Sequence, residues 1–193
     1  MIRKILIVSI AMSSTAMAQT KITPYLSLSG GYGMLNDSDI KLNGVDLPEA
    51  TYDDGTIIEG AVGLKFDKGM DVSPLRAELA LAHQTNDDQD GDETTMQTLM
   101  VNAYLDIFTG TPLSPYLTIG AGTANVDNEA VGDDDSAALQ AGAGLGYALT
   151  KNIILDLKYR YIMAEDLEFK SAGSKATVEI SGHQLQLGAR YEF

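Results

Sequence analysis

The sequence predicts an all-β fold, an eight-stranded antiparallel up-and-down β-barrel that spans a membrane. Three features predict it: an export leader at the start, segments in which apolar and polar side chains alternate, and connections that are alternately long and short. Successive side chains of a strand point to opposite faces, so each segment has one apolar and one polar face. A membrane barrel needs strands of about ten residues with the apolar face towards lipid and the polar face inside.

The first eighteen residues, 1–18, are predicted to be a cleaved secretory signal peptide. Arg3 and Lys4 form its charged start, Ile5–Met12 its apolar centre, and Ala16–Ala18 its small-residue cleavage site. The apolar centre is much shorter than the roughly 20 residues that a membrane-spanning helix needs. We therefore expect export, and a single barrel domain over residues 19–193.

The composition excludes several functional classes. The chain has no cysteine, which rules out a disulfide framework and a thiolate metal site. Its net charge of −14 argues against nucleic acid as a partner, because phosphates would be repelled. No cofactor is expected.

Eight segments show the alternation. Apolar residues recur at every second position rather than at every third and fourth, so a helical interpretation fails. The clearest example is the seventh segment, in which Asp156, Lys158 and Arg160 oppose a face of leucines and tyrosines. The predicted strands are Pro24–Met34, Thr56–Phe66, Leu75–His83, Met96–Phe108, Tyr116–Ala124, Leu139–Leu149, Ile153–Met163 and His183–Phe193.

The connections between these segments differ in length and charge. If the chain enters the barrel from the periplasmic side, every long connection is extracellular and every short one periplasmic. The long connections carry nineteen acidic residues against three lysines, so almost all of the net charge is expected outside the cell. The long connections are Asn36–Asp54, Thr85–Thr94, Asn125–Ser136 and Ala164–Ala176; the short ones are Asp67–Ser73, the turn at Gly110 and Pro112, and Thr150–Asn152.

The polar faces of the segments carry charges of both signs in equal number. Buried charges must be paired, so one interpretation is a salt-bridged core that fills a narrow barrel. The alternative is a permeation pathway, which is less favoured because eight strands leave room for side chains and little else. The predicted interior set is Glu59, Glu78, Asp106, Asp156 and Glu192 with Lys65, Arg76, Lys158, Arg160 and Arg190.

Four stretches resemble the small outer-membrane β-barrel family of opacity-type surface antigens and OmpA-like barrels: Met100–Phe108, Pro115–Gly122, Asp156–Tyr161 and Leu187–Phe193. The resemblance covers most of the predicted mature chain and is a pattern of strands, not of catalytic residues. It implies the outer membrane, contact with its lipids and lipopolysaccharide, and a structural, envelope-integrity or adhesive role.

In that family the closing strand is the recognition tag for the barrel-insertion machinery. The resemblance assigns this role here to Leu187, Tyr191 and Phe193. In contrast to full OmpA-type proteins, we expect no peptidoglycan-binding domain after the eighth strand.

An acidic connection invites a calcium interpretation. Asn86–Asp92 has oxygen-bearing side chains at alternate positions before a glycine, as an EF-hand loop does. However, Gln97 stands where the bidentate glutamate should be, and a strand follows instead of a helix. A solvated acidic surface that attracts divalent cations loosely, or that meets a host surface, is favoured.

An enzymatic alternative depends on Glu179, Ser181 and His183, all predicted to face lipid. Some small barrels of the family that this chain resembles are lipid-modifying hydrolases with a membrane-facing serine and histidine. A nucleophile needs a base within hydrogen-bonding reach, which residues two apart on one strand scarcely meet. His83 lies too far round the barrel to join His183 in a metal site. We expect no enzymatic activity.

Overall fold

The computed structural model describes residues 20–35, 40–42, 45–46, 55–67, 73–87, 93–128, 132–171 and 174–193, and the predicted signal peptide lies outside these ranges. Eight long antiparallel strands form a closed barrel, in which each strand pairs with the next and the first pairs with the last. The predicted eight-stranded barrel is confirmed. Its strands are β1 Lys21–Leu35, β4 Gly55–Asp67, β5 Leu75–Asp87, β6 Glu93–Asp106, β7 Leu113–Asn128, β8 Gly132–Ala148, β9 Ile153–Ser171 and β10 Ser174–Glu192.

Two further strands lie in the first long connection, which the sequence had predicted to be a loop throughout. They are β2 (Ile40–Leu42) and β3 (Val45–Asp46), and they pair with each other. β2 also pairs with β10 opposite Ala176–Val178, just before a register shift between Val178 and Ile180.

The barrel strands extend further into the long connections than their hydropathy predicts. β5 and β6 pair as far as Asp87 opposite Glu93, inside the predicted loop Thr85–Thr94. A prediction from hydropathy places the end of a strand where its apolar face ends, and that position marks the edge of the lipid. Backbone pairing continues beyond it, because the same ladder still satisfies the N–H and C=O groups. At the other end, β6 stops at Asp106, two residues before the predicted Phe108.

The two faces of the barrel wall have the polarity expected in lipid. Outward-facing leucine and isoleucine side chains are exposed, for example Leu28 at 61% and Ile119 at 66%. Inward-facing charged side chains are buried, with Arg160 at 1% and Glu59 at 3%. No helix among the described residues is long and apolar enough to cross a membrane.

One end of the barrel, the short-turn end, carries the start of β1, the end of β10 and the three short connections. In the turn between β6 and β7, Gly110 adopts a φ of 69°, a left-handed conformation that other residues rarely accept. Asn152, in the turn before β9, donates a side-chain hydrogen bond to the backbone oxygen of Glu192 at 2.6 Å. This contact ties the last strand to a neighbouring turn.

Candidate functional site: the polar lumen

The structure places all ten charged residues of the predicted interior set on the inward face of the barrel wall. Nine are buried and Lys65 is half-buried. They come from five of the barrel strands: β4, β5, β6, β9 and β10. On β5, β9 and β10 the charges occupy the half nearest the short-turn end, and the same strands continue with inward Ala82, Ile162 and Gln184.

Arg76 is the centre of a cluster at the short-turn end. Its guanidinium group donates to the carboxylate of Asp106, with Nε 3.0 Å from each oxygen and Nη2 2.8 Å from Oδ1. The guanidinium carbon also lies 4.1 Å from the ring centroid of Tyr104, 4.9 Å from that of Tyr116 and 5.9 Å from that of Tyr25. Cation–π attraction adds to the ion pair in such a position.

Glu78 lies next to this cluster and is held by neutral donors. The hydroxyl of Tyr104 donates to its Oε1 at 2.7 Å, and the hydroxyl of Tyr25 donates to its Oε2 at 3.1 Å. The amide of Asn102 donates to Oε1 at 3.4 Å. A buried carboxylate must be hydrogen-bonded, and tyrosine hydroxyls from β1 and β6 fulfil that need here.

Glu59 binds two cations from a strand that is not its neighbour. Lys158 Nζ lies 2.8 Å from Oε1, and Arg160 Nη2 is bound to Oε2. Both cations belong to β9, whereas Glu59 belongs to β4, with β1 and β10 between them. The contact therefore crosses two strands.

The remaining charges form a chain at the short-turn end. Lys65 Nζ lies 3.0 Å from Glu192 Oε2. Arg190 Nε lies 3.6 Å from both Glu192 Oε1 and Asp156 Oδ2. These contacts link β4, β10 and β9 through alternating charges.

A hydrogen-bonded network of uncharged side chains, the amide network, lies further from the short-turn end. Gln184 donates to Gln84 Oε1 at 2.9 Å, and Gln84 donates to Asn86 Oδ1 at 2.7 Å. Asn86 Nδ2 in turn donates to the backbone oxygen of Gly33 at 3.1 Å. Gly33 has no side chain, and a Cβ there would overlap the amide of Gln84. The glycine therefore leaves the space that the side chain of Gln84 occupies in the amide network.

The described side chains that face the lumen are thus buried for the most part, and most of the charged ones are paired. Within the described residues no three histidine or carboxylate side chains converge as metal ligands. A few buried atoms have no protein partner, among them Thr118 Oγ1, Gln186 Nε2 and Arg160 Nε and Nη1. Residues 88–92 of the acidic stretch considered for calcium lie outside the described ranges.

The outward residues considered for catalysis have a different arrangement. His183 Nδ1 lies 2.7 Å from the hydroxyl of Tyr159, and the His183 ring also contacts Tyr161 at 4.9 Å between centroids. Ser181 lies on the same strand, and the side chain of Glu179 is outside the described part of the chain. His83, on β5, lies 3.4 Å from the hydroxyl of Thr85.

The closing strand presents Leu187, Tyr191 and Phe193 outward, with 66%, 48% and 64% of each residue exposed. The rings of Tyr191 and Phe193 meet edge to face at 5.1 Å between centroids. The Phe193 N–H donates to the backbone oxygen of Pro24 at 3.1 Å, which joins the final residue to β1.

Three inward tyrosines, Tyr25, Tyr104 and Tyr116, were not part of the predicted interior set, which contained charged residues only. Each is at most 3% exposed. The available signal was position parity, since each tyrosine lies an even number of residues from an inward polar residue on its own strand. Tyr25 lies over Gly63, and Tyr116 lies over Gly144, where a Cβ would leave no room for the ring.

A family model described as outer membrane protein beta-barrel domain matches residues 5–193. Outer membrane protein PagN of Salmonella typhimurium is 26% identical in an alignment of length 228 that covers 95% of each chain. The 25 kDa outer-membrane immunogenic protein of Brucella abortus is 31% identical over 85 residues, or 42% of this chain and 40% of that protein.

Two solved structures show the same fold. Neisserial surface protein A superimposes with a TM-score of 0.62 at 19% identity, covering 88% of this chain and 97% of its own. The N-terminal β-barrel domain of Pseudomonas aeruginosa OprF gives a TM-score of 0.51 at 16% identity, covering 91% and 100%.

Proposed function

The chain belongs to the outer membrane protein β-barrel domain family and lies in the cell outer membrane, and from this premise we propose that it is a surface scaffold with a closed lumen. The barrel holds the long connections at the cell surface, where they contribute to adhesion or to envelope integrity. Transport and catalysis are not its main roles.

One observation carries the proposal: most of the inward charges are buried and paired with a charge of opposite sign. Arg76 is engaged by Asp106, and Glu59 by Lys158 and Arg160. To pass a hydrated ion through this lumen, such contacts would have to separate, and each would leave an uncompensated buried charge. A pathway that must break ion pairs at several levels conducts poorly.

The surface role is supported by the distribution of charge. The long connections carry nineteen acidic residues and Lys41, Lys170 and Lys175. On the extracellular side, this charge would attract divalent cations, and through them the phosphates of lipopolysaccharide, or a basic host surface. The Brucella relative is named as an immunogenic protein, as expected of a barrel whose surface is accessible to antibodies.

The runner-up function is a narrow channel for small solutes. It is favoured by the buried polar atoms without a protein partner, such as Thr118 Oγ1 and Gln186 Nε2. Such atoms need water or a second side-chain arrangement, and a file of water molecules could carry small solutes.

A lipid-modifying hydrolase is the weaker alternative. A catalytic histidine must take a proton from the serine nucleophile, with a third group that orients its ring. Here the Nδ1 atom of His183 is hydrogen-bonded to the hydroxyl of Tyr159, which is a phenol and not a carboxylate. No observation favours this function.

Planar-bilayer recording separates scaffold from channel. Purified refolded protein should give little steady conductance, whereas a large and stable single-channel conductance would reject the closed lumen. To identify the surface role, the three consecutive aspartates Asp133–Asp135 should be replaced by asparagine, with the deletion strain as reference. Loss of adhesion with normal detergent resistance would indicate an adhesin; the reverse would indicate an envelope role.

A further inference from the structure

The closed barrel has one seam that joins distant parts of the chain. Seven of the eight neighbouring strand pairs in the described barrel are consecutive barrel strands, linked by a single connection. The remaining pair, β1 with β10, joins residues that lie far apart in sequence, such as Leu28 and Ala189. Ordering such distant segments costs more chain entropy than closing a hairpin, so this seam has the greatest need of additional contacts.

One stretch of the seam has an inward face made mainly of small residues. β1 presents Ser29, Gly31 and Gly33 towards the lumen, and β10 presents Gly188 opposite Ser29. A Cβ on Gly31 would overlap the backbone of Leu185, and one on Gly188 would overlap the backbone of Leu28. Because these residues have little or no side chain, long side chains from the flanking strands can pass over this stretch of the seam.

Flanking side chains do pass over it, at several levels. Glu59 on β4 reaches Lys158 and Arg160 on β9, across both seam strands. Nearer the short-turn end, Lys65 on β4 binds Glu192 on β10 at 3.0 Å.

Two hydrogen bonds between uncharged side chains also cross the seam. Gln184 on β10 donates to Gln84 on β5 at 2.9 Å, at the far end of the lumen. Ser29 on β1 donates to Gln186 on β10 at 2.7 Å, directly across the seam.

We propose that these side chains form a clasp whose function is to hold the β1–β10 seam closed. The clasp consists of Glu59 with Lys158 and Arg160, Lys65 with Glu192, Gln84 with Gln184, and Ser29 with Gln186. It differs from the pair of Arg76 and Asp106, which joins β5 and β6, two strands that follow each other in the chain. The inference does not depend on whether the lumen conducts, because a clasp can act in a scaffold or in a channel.

The test uses a covalent lock at the seam. The chain has no cysteine, and Leu28 and Ala189 are direct partners on the outward face, so Leu28→Cys with Ala189→Cys should form a disulfide. The control lock, Leu79→Cys with Val101→Cys, joins β5 and β6 on the same face. Each lock is placed in the parent, in Glu59→Gln and in Asp106→Asn, and the rate of heat unfolding is followed by gel mobility.

Without a lock, Glu59→Gln should unfold about tenfold faster than the parent or more, because Lys158 and Arg160 lose their counter-charge. When both proteins carry the seam lock, the ratio of the unfolding rate of Glu59→Gln to that of the parent should fall close to one. The control lock should leave that ratio unchanged, and the seam lock should not rescue Asp106→Asn. Equal rescue of both variants by the seam lock, or rescue of neither, would overturn the clasp.

If Glu59→Gln does not assemble, Gln184→Ala replaces it, with Gln140→Ala as its control. Gln140 binds Asn102 on β6, away from the seam. Hydrogen exchange should rise at the β1–β10 amides in Gln184→Ala and remain at parental levels there in Gln140→Ala. Unchanged seam exchange in Gln184→Ala would also reject the proposal.

Discussion

Arg76 and Asp106 form a two-pronged ion pair inside the barrel, with Nε and Nη2 of the arginine on one carboxylate. The rings of Tyr104 and Tyr116 cover the guanidinium group. Both charged side chains are less than a tenth exposed, so water contributes little to their solvation. The two charges depend on each other, and the loss of one leaves the other buried without a counter-charge.

Asp106→Ala should therefore destabilise the barrel by roughly 3–5 kcal/mol. The double variant Arg76→Met with Asp106→Leu should recover most of this loss, because a well-packed apolar pair replaces the ion pair without leaving a charge. The free energy of unfolding is measured by urea titration in lipid vesicles. Lys151→Ala, at an exposed turn, is the control and should change stability by no more than about 0.5 kcal/mol. An Asp106→Ala cost equal to that of Lys151→Ala would contradict this.

The sequence predicts the face of each of these residues but not their partners. Period-two alternation puts Arg76 and Asp106 in the lumen, since a shift of one residue would move every leucine of their strands inside. Pairing between side chains depends on the register of the two strands, which hydropathy alone does not give. Arg76 lies directly opposite Tyr104, and Asp106 is the next inward residue along β6.

The partners of Glu59 are harder still to predict. Lys158 and Arg160 lie about a hundred residues away in sequence and two strands beyond its neighbour β1. Their contact depends on the curvature and tilt of the closed barrel, and on how far long side chains extend over Gly31 and Gly188. None of these quantities appears in a single sequence.

Two glycines offer a matched test of packing inside and outside the wall. Gly63 lies under the ring of Tyr25, whereas a Cβ on Gly60 would meet no atom within 4 Å. Gly63→Ala should cost about 1–3 kcal/mol through overpacking, and it should also displace Tyr25 from Glu78. Gly60→Ala should be neutral within about 0.5 kcal/mol. The same urea titration measures both, and equal effects would show that the interior can yield to a methyl group.

Phe193→Asp should reduce the amount of assembled protein in the outer membrane much more than it reduces the stability of barrels that do assemble. The aromatic ring lies outward at the short-turn end beside Tyr191, and the resemblance of the closing strand implies that this residue belongs to the insertion tag. Assembly is measured as the heat-modifiable fraction in membranes, and stability by urea titration of refolded protein. Phe193→Tyr is the control and should assemble normally. Parental amounts of assembled Phe193→Asp would remove the basis for the insertion tag.

The orientation of the barrel can be tested with one protease site at each end. A recognition sequence inserted within residues 88–92, between β5 and β6, should be cut when protease is added to intact cells. The same sequence inserted at Gly110, in the exposed short turn between β6 and β7, should be cut only after the outer membrane is permeabilised. The acidic connections would then face the medium, where charged and polar segments remain solvated and accessible. The opposite pattern would put the nineteen acidic residues in the periplasm, and the surface role would have to be abandoned even if the lumen is closed.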